Sequence, residues 1–251
     1  VVLQKVYRIH DMKQYVCDYE VIERIGSAVG SPAGTSASPK EMIFLILKDN
    51  SQPIEILDIG FGAGGLGELI KSNPGTQHWQ VDGIEGFEAN CQNQQLINKR
   101  IYRNIWHALA QELPSEQIKQ YDIICLLDVI EHLDIESAKY LLRHLLSCMS
   151  DDALLFISTP IWFYPQDTQQ QGDLEEHLIA VPASSMMALL PTHYATRHPL
   201  VGGFVLAKRS LQYISFFQPT TDKAFSYEKG MKIAQAIGMR LDPGLVFVTG
   251  L

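Results

Sequence analysis

The chain has no run of about 18 apolar residues, so no helical membrane span is indicated. Cysteine is scarce: the four residues at 17, 91, 125 and 148 show no metal or redox spacing, which argues against a zinc ribbon or a CxxC centre. Cys125 sits inside an apolar run, and reduced thiols in a cytoplasmic protein are the expectation. Positive charge is also short. The net charge of −8 argues against a nucleic acid held mainly through its phosphates. The basic spots at Lys99, Arg100 and Arg103, and at Lys208 and Arg209, have no interleaved aromatics of the kind a stacking platform needs, and read as solvated faces. The start, Val1 to His10, lacks both an initiator Met and the long apolar core of a signal peptide, which suits a processed chain or an excised domain.

What is present is ordinary globular composition, 46% hydrophobic and 19% charged over 251 residues. That length suits one α/β domain with additions. Apolar positions at helical spacing (Val16, Tyr19, Ile22, Ile25) predict a helix over 11–25. The small, polar stretch 26–39 predicts a mobile loop, giving an N-terminal segment 1–39 that is able to act as a lid. From residue 40 the pattern alternates. A short helix leads to a strand at 54–59, followed by strands near 79–84, 101–107, 122–127 and 153–159, with helices between them. Segments 192–198 and 203–208 read as a closing antiparallel pair. This order predicts a Rossmann-like, doubly wound α/β fold: a seven-stranded, mostly parallel sheet with helices on both faces and an antiparallel last strand. The core spans 40–209. The 210–251 extension carries a helical pattern (Tyr227 to Ile237) and a strand-like end (Leu245 to Val248). It is expected to pack on the sheet, form a lid, or pair with a second copy as a homodimer.

The most informative stretch is 54–70. An apolar strand runs into a turn with glycines at 60, 62 and 64 and then into a helix near Gly65. Glycine lets a ligand lie against the backbone, and the helix start adds free N–H groups and partial positive charge. Gly60-x-Gly62-x-x-Gly65 also fits the dinucleotide fingerprint. Asp58 separates the readings: a carboxylate here repels a pyrophosphate but welcomes a ligand with a positive group. S-adenosylmethionine carries both an ammonium and a sulfonium. Asp58-x-Gly60-x-Gly62-x-Gly64 resembles motif I of the class I S-adenosylmethionine-dependent methyltransferases.

Glu85 ends the second strand, 25 positions after the first glycine, where doubly wound folds place an acid that binds ribose hydroxyls. Phe87, just beyond, reads either as a cover for an adenine face or as a core aromatic. The third segment is the buried strand 123–127 followed by Asp128-Val-Ile-Glu131-His132-Leu133. It resembles the segment after strand four in small-molecule O-methyltransferases, including those of ubiquinone biosynthesis. The resemblance covers roughly residues 40–209 and implies S-adenosylmethionine as cofactor. It implies that Asp58, Gly60, Gly62 and Gly64 hold the methionine end, Glu85 the ribose, and the backbone around Leu127 and Asp128 the region of the sulfur, with Phe61, Gly86 and Phe87 also at the cofactor. One position departs from the family pattern: alignment on Leu113-Pro114 puts Leu109 where an adenine-binding acid often stands. Adenine recognition then falls to backbone groups around Ala108, Leu109 and Ala110, with Gln111 as a side-chain helper.

Methyl transfer to a hydroxyl requires in-line placement of the acceptor and removal of its proton, work suited to a histidine or carboxylate. The catalytic candidates are His177, His132 and Glu131. Trp162, Phe163 and Tyr164 read equally as walls of a small, aromatic acceptor's pocket or as a hydrophobic plug. Asp128, Glu131 and His132 stand at i, i+3 and i+4, one face of a helix, with His177 available as a fourth ligand. This resembles the metal site of small-RNA 3′-end 2′-O-methyltransferases, with Asp for the first Glu, and oxygen-rich sets suit Mg or Mn. The expectation is nevertheless that no metal is needed. Taken together, the residues and the resemblance imply a methyltransferase acting on a small-molecule hydroxyl. The alternatives are an enzyme acting on nitrogen, carbon or an RNA terminus, or a non-catalytic cofactor-binding interaction domain.

Overall fold

A computed structural model describes residues 19–25, 40–47, 51–168, 171–197, 201–224, 226–236 and 245–250. At its centre, β2 (Glu55–Ile59), β3 (Gln80–Glu85), β4 (Ile105–His107), β5 (Ile123–Leu127) and β6 (Leu154–Pro160) run parallel. Their alternation with helices leaves no other simple solution, since a parallel neighbour needs a crossover. The antiparallel pair is β7 (His193–Arg197) and β8 (Val201–Ala207), with β8 antiparallel to β6. These seven strands give the expected sheet.

The sheet is larger than expected. β1 (Tyr19–Ile25) and β9 (Leu245–Gly250) extend it, giving the order β1-β9-β7-β8-β6-β5-β2-β3-β4. The expectation of a helix over 11–25 is therefore corrected for 19–25. Spacing of three between Tyr19, Ile22 and Ile25 mimics a helix, but β9, more than two hundred residues later, offers an antiparallel ladder from Tyr19↔Gly250 to Ile25↔Leu245. A distant pairing partner outweighs local pattern. Residues 11–18 and the 26–39 loop lie outside the described residues. In the C-terminal extension, β9 stands within the sheet, paired antiparallel with β1 on one side and β7 on the other.

Helices cover both faces. On one side α1 (Glu41–Leu47) and α2 (Gly65–Ser72) bury Met42, Ile43, Leu66 and Ile70 against Ile56, Val81, Ile123 and Cys125. On the other, α6 (Ile135–Cys148) buries Leu141, Leu142, Leu145 and Leu146 against Leu57, Ile124, Leu126 and Leu155. Each such side chain contributes about 1.5–3 kcal/mol. Asp134 caps α6 by accepting from the N–H groups of Glu136 and Ser137, which fixes where the chain leaves β5 and enters the helix. The expected helix over 86–98 is two short ones, α3 (Glu88–Cys91) and α4 (Gln94–Asn98), the second restarted by the Asn93 cap. Two further short helices, α5 (Ser115–Ile118) and α7 (Ala183–Met187), follow β4 and β6, and α8 (Tyr227–Ala236) precedes β9. None of the described helices is long and apolar enough to cross a membrane.

Candidate active site

Strand order reverses between β2 and β5, and open α/β sheets place ligands outside the carboxyl ends of strands at such a point. Here a cleft of about 720 Å³ opens, lined by both polar and apolar groups. The glycine turn forms its floor. Gly60, Gly62 and Gly64 all have positive φ (65°, 52° and 84°), a region that side chains disfavour. At Gly60 the space is closed as well, because an added Cβ would stand 2.6 Å from a Val129 methyl.

Glu85, buried at the end of β3, is tied into this turn. One carboxylate oxygen accepts from the Gly62 N–H at 2.8 Å and the other from the Phe87 N–H at 3.0 Å. Each oxygen has a further lone pair, so the locked carboxylate can still take a pair of hydroxyls. Asp58 lines the floor and is 2% exposed, with one oxygen accepting from the Tyr102 hydroxyl at 2.8 Å. Burial raises its pKa to about 7; Tyr102 and Lys40 oppose the rise, and the charge of Glu85 adds to it. Tyr102 was not foreseen, since nothing in the sequence marks an aromatic residue 44 positions away as the partner of a buried acid.

At the far wall stand Ala108, Leu109, Ala110 and Gln111. Two of the backbone donors expected for adenine are already occupied. The Ala108 N–H donates to the Glu85 carbonyl at 3.1 Å, and the Leu109 N–H donates to the Glu112 carboxylate at 3.0 Å. Methyls of Leu109, 47% exposed, and Leu174, 51% exposed, both stand over Gly86. Two exposed leucines on the cleft wall form an apolar flank suited to a flat base.

The opposite end holds the titratable groups. Asp128 has φ 55°, a strained conformation for a residue with a side chain, and its N–H and one carboxylate oxygen are held by the Ser158 carbonyl and hydroxyl. The chain then makes a single 3₁₀ turn, Ile130–His132, rather than the α-helical face on which the i, i+3, i+4 argument relied. The backbone carbonyl of Glu131 accepts from the N–H groups of Leu178 and Ile179, which draws the loop after β6 onto this turn. As a result Glu131, His132 and His177 bring one ligand atom each within 4.8 Å of one another. The two imidazole rings lie 4.6 Å apart.

Both histidines are oriented by backbone. Nδ1 of His132 lies 3.1 Å from the Glu176 carbonyl, and Nδ1 of His177 lies 2.7 Å from the Tyr164 carbonyl. A carbonyl can only accept, so Nδ1 carries the proton and Nε2 of a neutral ring presents a lone pair. Burial, reinforced by His132, lowers the His177 pKa to about 4, which keeps that lone pair available at neutral pH. Glu131 is 2% exposed and neither carboxylate oxygen has a hydrogen-bond partner. The neighbouring Thr159 hydroxyl, 3.4 Å from the Pro160 carbonyl, favours the ionised form of Glu131 only weakly. Burial, with the charge of Asp128, holds the Glu131 carboxyl well above the usual range.

Of the residues singled out in the sequence, Asp58, Gly60, Phe61, Gly62, Glu85, Gly86, Ala108, Leu109, Leu127, Asp128, Glu131, His132 and His177 all line this one cleft. Gly64 and Phe87 stand outside its wall. Gly64 caps α2 with Leu96 methyls 2.5 Å from where a Cβ would be, and Phe87 caps α3. The aromatic trio divides. Tyr164 lines the cleft, Phe163 is buried, and Trp162 packs on the core. Tyr227 also lines the cleft and was not expected there.

A sheet of this order, with a glycine turn between two acids at the reversal point, defines a class I S-adenosylmethionine-dependent methyltransferase. Residues 38–197 match the model of a methyltransferase domain family, and the chain belongs to that family. Among curated proteins it is 27% identical over 127 residues to a ubiquinone biosynthesis O-methyltransferase of Rickettsia conorii, covering 50% of this chain and 41% of the relative. It is 30% identical over 108 residues to the protein of that name from Rickettsia bellii, covering 42% of each. The matched stretch thus spans about two-fifths of the length of these relatives. Among solved structures, magnesium protoporphyrin IX methyltransferase from Synechocystis PCC 6803, with the cofactor bound, aligns at 18% identity and a TM-score of 0.42, covering 66% of this chain and 76% of that one. A Pyrococcus horikoshii OT3 protein aligns at 13% identity and a TM-score of 0.48, covering 67% and 88%.

Proposed function

We propose that this enzyme methylates a hydroxyl group of a small molecule, with the proton passing to His177 or His132. The observation that carries the reading is the pair of imidazoles with their Nδ1 protons fixed by carbonyls and their Nε2 lone pairs free, at the end of the cofactor cleft. The cofactor fits the residues present. The buried acid Asp58 suits an ammonium, the two-oxygen grip of Glu85 suits a ribose diol, and the leucine flank suits a base. Bound there, S-adenosylmethionine supplies an activated methyl group on a good leaving group. The protein's part is to hold the acceptor oxygen in line and to receive its proton. Positioning of this kind is worth roughly 7–11 kcal/mol, and a placed base adds about 10²–10⁴-fold. The O-methyltransferase names of the Rickettsia relatives support a hydroxyl acceptor, and the missing membrane-length helix among described residues is compatible with a cytoplasmic enzyme.

A second reading rests on Glu131. Two buried carboxylate oxygens without a donor, beside two free imidazole nitrogens, form a donor set for a divalent cation. The carbonyls behind each ring are the outer partners that metal-bound histidines use. A cation here would be held by Glu131, His132 and His177 and would lower the pKa of a nearby hydroxyl. One experiment tests both readings: S-adenosylhomocysteine formation across a panel of phenols and catechols, with EDTA and then with added Mg or Mn. Turnover that survives EDTA supports the imidazole base, and turnover restored only by metal supports the cation. Methylation of amines alone would overturn the hydroxyl assignment.

A further inference from the structure

The residues after the family-matched region carry a second finding. Residues 217–224 and 226–227 are stitched to both ends of the loop that holds Tyr164 and His177. Ala180 and Thr220 exchange backbone hydrogen bonds at 2.8 and 2.9 Å. Phe163 pairs with Ser226, and the Tyr227 N–H donates to the Phe163 carbonyl at 2.8 Å. Between these anchors the chain turns on itself: Thr220 Oγ1 accepts from the Asp222 N–H, and the Asp222 carboxylate accepts from the Ala224 N–H. Ser226 Oγ accepts from the Lys229 N–H at 3.3 Å, starting α8 at Tyr227. The first side chain of that helix therefore has a fixed origin.

Tyr227 uses that origin to enter the cleft. Its ring meets Tyr164 edge to face, with centroids 5.0 Å apart at 79°. Tyr164 lies 5.9 Å from His177, and His177 lies 4.6 Å from His132. Four rings thus run in a row from the C-terminal segment to the catalytic turn. Charge along the cleft is still one-sided once burial has favoured the neutral forms of Asp58 and Glu131: among its described lining residues the other acids are Glu85, Asp128 and Glu175, and Lys40 is the one lysine or arginine. Such a wall repels an anion.

We propose that Tyr227 is a specificity-determining residue of the acceptor site, selecting a flat ring that bears the hydroxyl and carries no negative charge. The proposal rests on the hydroxyl-acceptor reading above. It makes Tyr227, held by the contacts at Thr220 and Ser226, part of the active site.

The test measures binding and turnover separately. Catechol, dopamine and 3,4-dihydroxybenzoate are titrated by ligand-observed NMR against the full chain saturated with S-adenosylhomocysteine, for wild type, Y227F and Y227A. S-adenosylhomocysteine affinity reports that each variant is folded; Y227L, which keeps bulk at the helix start, replaces Y227A if that affinity is lost. Catechol and dopamine are expected to bind more tightly than the benzoate. Y227A should weaken catechol about tenfold and Y227F less than threefold, as loss of a ring contact implies. Equal catechol affinity in Y227A and wild type, equal affinity for the benzoate, or no ring binding by wild type overturns the proposal. Tyr227-dependent binding without methylation refutes the hydroxyl reading alone, whereas methylation indifferent to Y227A refutes this proposal alone.

Discussion

The two ends of the cleft are built by different means. The cofactor end rests on strand termini and on a turn whose geometry is forced by backbone: Gly60 against Val129, and Glu85 locked by the Gly62 and Phe87 N–H groups. The end proposed to take the acceptor is assembled from three separate segments: the 3₁₀ turn at 130–132, the loop that holds Tyr164 and His177, and the segment that starts the last helix at Tyr227. The first end grips a constant molecule through backbone and buried acids. The second presents rings and imidazoles from loops, the part of this fold that is free to vary. Damage to the two ends should therefore separate cleanly into binding and turnover.

The largest expected effect lies at the acceptor end. His177→Ala should lower kcat by about 10²–10⁴-fold while leaving the calorimetric affinity for S-adenosylmethionine unchanged. A variant with full activity removes His177 as the base. At the cofactor end the complementary change is Glu85→Ala. It removes charge-assisted bonds worth about 1.5–3 kcal/mol, so affinity should fall roughly 10- to 150-fold, and unchanged affinity would refute the ribose role.

Next in size is Gly60→Ala. It places a Cβ in contact with Val129 at a left-handed φ and should destabilise the fold by about 1–3 kcal/mol in urea unfolding. No loss of stability would mean that the turn is less constrained than its geometry states.

The smallest effect is a pH dependence carried by Asp58. Its folded pKa of about 7 lies above the ordinary carboxylate value, so the folded state holds a proton that the unfolded chain has released. Its contribution to stability is present at low pH and is lost as pH rises from about 4 through 7. Binding of a cationic ligand runs the opposite way and should strengthen as pH rises through 7, a trend absent in Asp58→Asn. Tyr102→Phe removes a hydrogen bond that favours the ionised form and should move the midpoint upward.

The same division explains what was legible in the sequence. Asp58, the glycines and Glu85 lie within one βαβ unit, where spacing along the chain fixes position in space. Asp128, Glu131 and His132 follow directly from a buried strand. His177 was visible as a loop histidine, but its meeting with His132 depends on backbone bonds from Leu178 and Ile179 to Glu131, which no local pattern encodes. Tyr102 and Tyr227 were missed for the same reason, because each reaches the site through a contact more than forty residues away. The strand at 19–25 was misread because its partner, β9, lies at the other end of the chain.

The central claim is that the acids around the glycine turn select a cationic methyl donor over a dinucleotide. Calorimetry of the purified chain with S-adenosylmethionine and with NAD tests it most directly. The account expects S-adenosylmethionine to bind at a single site, more tightly than NAD, with affinity that falls in Glu85→Ala. Tighter binding of NAD would contradict it.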